Sequence, residues 1–134
     1  MARDRVTDGK RIGQLLSSEI HGHERGALGH LSVTEADTDV EPTSEGAFAY
    51  GINFSTVETD ERIVAAYVHP DRLRVEFQTG VETAAGAADS AGLRVRPKAV
   101  EPPRTLVFVE SGAEVKLLLN VVRTVAEERL EAGE

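Results

Sequence analysis

The chain has no cysteine among its 134 residues. That excludes disulfides, cysteine-ligated zinc, iron–sulfur clusters and thiol chemistry, and it argues against the stapled class of small secreted domains. Lysine is scarce: Lys10, Lys98 and Lys116 stand beside 12 arginines. No apolar run comes near the roughly 20 residues needed to cross a bilayer. Met1–Lys10 is charged from its third residue and lacks an apolar centre, so no signal peptide is expected. These absences point to a cytoplasmic protein. Signatures of catalysis are missing as well. Gly9-Lys10 has no upstream glycine of a phosphate-binding loop and is followed by Arg11, and Gly26-Ala27-Leu28-Gly29 lacks a strand-to-helix setting. There is no nucleophile elbow and no serine in a triad context. The expectation is a protein without cofactor or enzymatic activity.

What is present fits one domain, 1–134, with frayed tails at about 1–6 and 131–134. The length is near the commonest domain size, and a 40% hydrophobic content is enough for a core. Acidic residues outnumber basic ones 23 to 15, a net charge of −8. The surplus is uneven. Residues 1–61 carry five basic and 12 acidic residues, residues 62–104 seven and five, and residues 105–134 three and six. The balances are −7, +2 and −3. Molar salt shortens the screening length to about 3 Å, so an acidic surface is tolerated in a halophilic cytosol.

Hydrophobic periodicity predicts an α+β fold. A first helix is expected over 8–21, with Ile12, Leu15, Leu16 and Ile20 on one face and Thr7 or Asp8 as cap. A strand follows at about 27–34, then an acidic loop over 35–46. Residues 47–57 alternate, with Phe48, Tyr50, Ile52 and Phe54 on one side. The small residues opposite them suggest a helix near the second face. Ile63–Val68 is apolar throughout, as for a strand covered on both sides, and a turn at His69-Pro70-Asp71 returns the chain into Arg72–Thr79 as a hairpin. An alanine-rich helix is expected over 81–91, a short strand over 93–96 and another over 105–109. The last helix should start at Ser111, with Glu114 completing a capping box. The fold class is therefore an antiparallel sheet of five to six strands with helices packed on it, in the order α-β(3-4)-α-β(2)-α.

That element order resembles the type III secretion chaperone-like fold, which would imply a dimeric platform. An early additional strand departs from the pattern. Length and composition resemble those of short haloarchaeal proteins, and this resemblance carries no activity with it.

Several residues are candidates for function. His21, His23 and His30 could bring imidazoles together, but their glycine-rich surroundings favour exposed loop histidines, and no metal site is expected. Asp37-x-Asp39-x-Glu41 has Pro42 where a calcium loop needs glycine. His69 reads as a turn residue. Arg72 and Arg74 share one strand face, and Arg94 and Arg96 share another. If these strands lie on one exposed sheet surface, four guanidinium groups form an anion- or partner-binding patch. The competing expectation is that they pair with Glu76, Glu82 and the acidic loop as weak surface ion pairs. On the last helix, Leu117 and Val121 widen the apolar stripe and mark a dimer or partner face. Together these point to a non-enzymatic protein–protein interaction module that self-associates and binds a protein partner. The alternative is a domain for small anionic ligands or nucleic acid, with nucleic acid disfavoured by the net negative charge and no membrane role expected.

Overall fold

The structure is a computed structural model that describes residues 6–23 and 25–132. Its elements are α1 (Gly9–Gly22), β1 (Leu31–Thr34), β2 (Ala47–Ser55), β3 (Asp60–His69), β4 (Arg72–Phe77), α2 (Val81–Ser90), β5 (Arg94–Lys98), β6 (Arg104–Val109) and α3 (Val115–Ala132). The six strands form one sheet in the order β1-β2-β3-β4-β6-β5, every neighbouring pair antiparallel. The fold is α+β, as the alternation of periods implied.

Each helix starts where local chemistry stops the extended chain. The Asp8 carboxylate accepts from the backbone N–H groups of Lys10 (2.9 Å) and Arg11 (3.3 Å), capping α1. Gly80, at a φ of 64°, turns the chain from β4 into α2. The start of α3 differs from expectation. Glu114 does reach back, but its Oε1 accepts from the Glu110 N–H at 2.8 Å, and the Ser111 hydroxyl makes no cap bond. A 3-10 turn over Gly112–Glu114 leads into the helix instead. A second 3-10 turn, Gly26–His30, replaces the first half of the expected early strand. Of the expected frayed tails, 1–5 and 133–134 lie outside the described residues. Val6 is tied down, because its carbonyl accepts from Gly112 N–H at 2.8 Å, and residues 131–132 belong to α3.

All three helices pack on one face of the sheet, with α3 between α1 and α2. Ile12, Leu16 and Ile20 of α1, Ala84 and Ala88 of α2, and Leu118, Val122 and Val125 of α3 meet Ile52, Val64, Leu73, Val75, Phe77 and Val107 in one core. Burying a large aliphatic or aromatic side chain contributes about 1.5–3 kcal/mol, so this layer carries most of the stability. Val121, expected on a partner face, is 1% exposed and belongs to this core, packed toward α2. Leu117 alone of that pair reaches solvent, at 39%. The wide stripe on α3 thus serves the two helices on either side of it. No helix among the described residues is long and apolar enough to cross a membrane.

Two irregularities decide which side chains face away from the helices. The register slips between Phe48 and Tyr50, so Phe48 leaves the face of Tyr50, Ile52 and Phe54 and lies opposite Tyr67. A second slip pairs Ile52 with Val64 but Asn53 with Arg62, which turns both Ile63 and Val64 inward, each 0% exposed. Such bulges break strict alternation. The expected helix on the second face is not found among the described residues. The small residue Gly51 instead makes room for the Arg62 side chain, whose Nε would collide with a Cβ there. Ala65 and Tyr67 are covered on that side by side chains, with the Arg74 guanidinium 4.5 Å from the Tyr67 ring centre.

Candidate functional site

The open face of the sheet gathers Arg62, Arg72, Arg74, Arg94, Arg96, Lys98 and Arg104, all seven basic residues of segment 62–104. The register explains the convergence. Arg74 lies opposite Phe108, which lies opposite Arg94; Glu76 opposite Leu106 and Leu106 opposite Arg96; and Lys98 opposite Arg104. Arg72, two residues from Arg74, falls on the same side. The four arginines singled out in the sequence therefore share one surface. The strand order supplies what sequence reasoning lacked: β6 inserts between β4 and β5, so Arg104 joins the row, and the bulge at Ile63 brings in Arg62.

Aromatic rings lie among these cations. The guanidinium groups of Arg62, Arg72 and Arg74 lie 5.4, 5.6 and 4.5 Å from the ring centres of Phe48, Phe108 and Tyr67. Guanidinium over a ring face is favourable by about 0.5–1 kcal/mol where solvent reaches it. Phe48 and Tyr67 meet edge to face with centres 5.8 Å apart.

At the centre sits Glu76, 1% exposed. Its Oε2 accepts from Arg74 Nε at 2.9 Å, its Oε1 accepts from Arg104 at 2.8 Å, and Lys98 Nζ lies 3.4 Å away. Burial by itself would push this carboxyl up, but the hydrogen bond from Arg104, the charge of Lys98 and the contact with Arg74 outweigh it. The carboxylate is held below its ordinary value and stays ionised. Arg74 is further fixed by the Glu45 carbonyl at 3.0 Å and by His69 Nε2 at 2.9 Å. His69 is not a plain turn residue: it ends β3, is 3% exposed, and its Nδ1 lies 3.1 Å from the Ser44 carbonyl. Facing a carbonyl at Nδ1 and a guanidinium at Nε2, the neutral ring with its proton on Nδ1 satisfies both contacts. Burial first, and then the charge of Arg72, lower its pKa.

The cations thus divide into two sets. Arg74, Lys98 and Arg104 surround Glu76, and Arg62 pairs with Glu35. At the β4–β6–β5 corner, Arg72 pairs with Asp71 at 2.9 Å and Arg94 with Glu110 at 3.4 Å, while Arg96 has no ion pair among the described residues. These three arginines line an open recess of about 480 Å³ with Asp71, Phe108 and Glu110. Glu82, a suggested partner, lies in the first turn of α2 and enters no salt bridge to them. Acidic side chains border the basic face at Glu35, Asp60, Asp71 and Glu110; hydrogen bonds from Ser55 and then Asn53 hold Asp60 below the usual carboxylate range.

Two other histidines lie away from this network. His30 Nδ1 meets the Ser55 carbonyl at 3.0 Å, and His23 lies 3.5 Å from Glu19 one helical turn before it. Among the described residues, no group of three or more metal-ligating side chains comes together. A smaller cavity of about 290 Å³ lies between α1 and the acidic loop, beside Gly13 and Tyr50, whose hydroxyl donates to the Gly13 carbonyl at 2.6 Å. That bond closes the polar end of the tyrosine and makes it a structural strut. No curated protein and no solved structure matches the chain. A family model described as a family of unknown function, DUF7993, matches residues 1–134, and the chain belongs to that family.

Proposed function

We propose that the protein is a non-enzymatic protein–protein interaction module of a salt-adapted cytosol that docks an acidic segment of its partner on the open sheet face. One observation carries this reading: on a chain of net charge −8, seven basic side chains and three aromatic rings share the sheet face opposite the helices. Arginine forks bind carboxylates in fixed geometry, and aromatic and arginine residues are the usual anchors of interfaces. The acidic border at Glu35, Asp60, Asp71 and Glu110 limits the basic patch to a short ligand, because a long nucleic acid strand would run onto like charge. Two copies paired through this face would set arginine against arginine, so a chain of opposite charge is the better occupant. Self-association through α3 has only Leu117 of its two expected residues at the surface. The buried groups also favour binding over catalysis, since Glu76 is saturated by cations and both His69 nitrogens are engaged.

The test is fluorescence anisotropy with a labelled oligoglutamate across a salt series. Binding that weakens with salt and is lost in R72E/R96E supports the reading. Tighter binding of a single-stranded oligonucleotide of equal charge, or no binding of either probe, contradicts it.

A further inference from the structure

The seven cations do not offer equal anchorage, and the difference locates the site within the face. We propose that the recess lined by Arg72, Arg94 and Arg96 is a phosphoryl-binding site and the anchor point of the acidic ligand. This rests on the docking role of the open face proposed above. Arg74, Lys98 and Arg104 already share the Glu76 carboxylate, which is withdrawn from solvent, and Arg62 is engaged by Glu35. An incoming anion would have to displace those bonds. At the corner it meets weaker competition. Asp71 is 74% exposed and Glu110 41% exposed, so both can swing into water, and Arg96 has no ion pair among the described residues. Exposed pairs of this kind are weak and exchange readily.

The chemistry of the ligand follows from the number of arginines. A carboxylate has two oxygens and is matched by one guanidinium fork, as the Asp71 and Glu110 pairs illustrate. Three guanidinium groups around one recess suit a group with three acceptor oxygens and up to two negative charges, which is a phosphate monoester. Phe108 forms the floor: it lies opposite Arg94 in the sheet, and the Arg72 guanidinium packs 5.6 Å from its ring centre. That stacking holds Arg72 over the recess while leaving its N–H groups at the rim for an anion. Free phosphate and a phosphorylated side chain present the same oxygens.

The experiment follows the arginine Nε–Hε resonances by NMR in three titrations. The probes are inorganic phosphate, a phosphoserine peptide with glutamate flanks, and the same peptide with glutamate in place of phosphoserine. The expected result is one saturating shift shared by Arg72, Arg94 and Arg96, with Arg104 unmoved. R96A should weaken phosphate binding about tenfold, the loss of one charge-assisted contact, while R123A on α3 titrates like the native chain. Shifts no larger than those of Arg123, or an R96A curve matching the native one, would overturn the site. Equal affinity for the glutamate peptide would overturn the phosphoryl preference and leave the docking reading intact. Saturation by phosphate without any oligoglutamate binding would do the reverse. Binding of inorganic phosphate without the phosphopeptide would overturn the anchoring role and assign the recess to free phosphate.

Discussion

The two faces of the sheet are built from alternate residues of the same strands, yet they are closed by different means. Toward the helices, Leu73, Val75, Phe77, Val107 and Val109 are each 0% exposed, and carbon packs against carbon. On the other side, Arg72, Arg74 and Glu76, drawn from the same stretch of β4, are arranged by charge around rings and one buried carboxylate. The first face is held by non-directional burial, which tolerates change of shape within limits. The second is held by directional bonds, which fix where the remaining free donors point. A surface of that kind is well suited to recognition: part of its charge is spent on rigidity, and the remainder is presented at the corner beside β5.

The largest effects of substitution are expected on the helical side. Leu118→Ala should destabilise by about 2–5 kcal/mol, as expected for a fully buried leucine, whereas Leu117→Ala one residue earlier should change stability by less than about 0.5 kcal/mol. Urea unfolding at constant salt reads both. Equal costs would mean that the α3 stripe is not divided as described. On the open face, Glu76→Gln should cost about 2 kcal/mol, because Arg74 and Arg104 lose their ionised acceptor while water, which reaches them in part, offsets some of the loss. The same variant should also loosen Arg74 and broaden its Nε resonance. A silent substitution would show that the carboxylate does not organise the face.

A smaller effect separates the two faces by pH. His69 is held neutral, with its folded pKa below the ordinary 6.5, so an unfolded chain binds its proton more readily than the folded one. Its stabilising contribution is complete above about pH 6.5 and is lost as pH falls through the folded value. Glu76 follows the same rule lower down, its contribution complete above about 4.5 and declining beneath that as the carboxyl takes a proton. Thermal melts should therefore show a first decline below about pH 6.5 that is absent in His69→Gln, followed by a second, steeper one below about 4.5. Identical melts for the two chains between pH 7 and 5 would contradict the neutral state of the buried His69 ring.

Much of this architecture is legible in the sequence. Period-two alternation over Arg72–Phe77 assigns Arg72 and Arg74 to one side and Leu73, Val75 and Phe77 to the other, because a strand's side chains can point in only two directions. The capping aspartate and the helical spacing of Ile12, Leu16 and Ile20 located α1 in the same way. What could not be read was pairing between distant strands. That β6 lies between β4 and β5 is set by the whole core, and only that order places Arg104 and Lys98 on Glu76. The bulges at Ala49 and Ile63 were hidden for a related reason: alternation in one strand cannot show where its partner slips by a residue. Phe48 therefore lies on the side opposite to the one that simple alternation predicts. His69 looked like turn punctuation because its burial depends on Ser44 and Arg74, which meet it only in three dimensions. Val121 looked surplus because α2, its neighbour, has side chains too small to announce a helix–helix contact.

Docking on the open sheet face can be read by mapping oligoglutamate binding with backbone amide and arginine side-chain resonances of the native chain. Saturable shifts are expected only in β4, β5 and β6, largest at Arg72, Arg94 and Arg96, with α1 and α3 unaffected. Shifts centred on the helices, or spread evenly over every arginine of the chain, would contradict it.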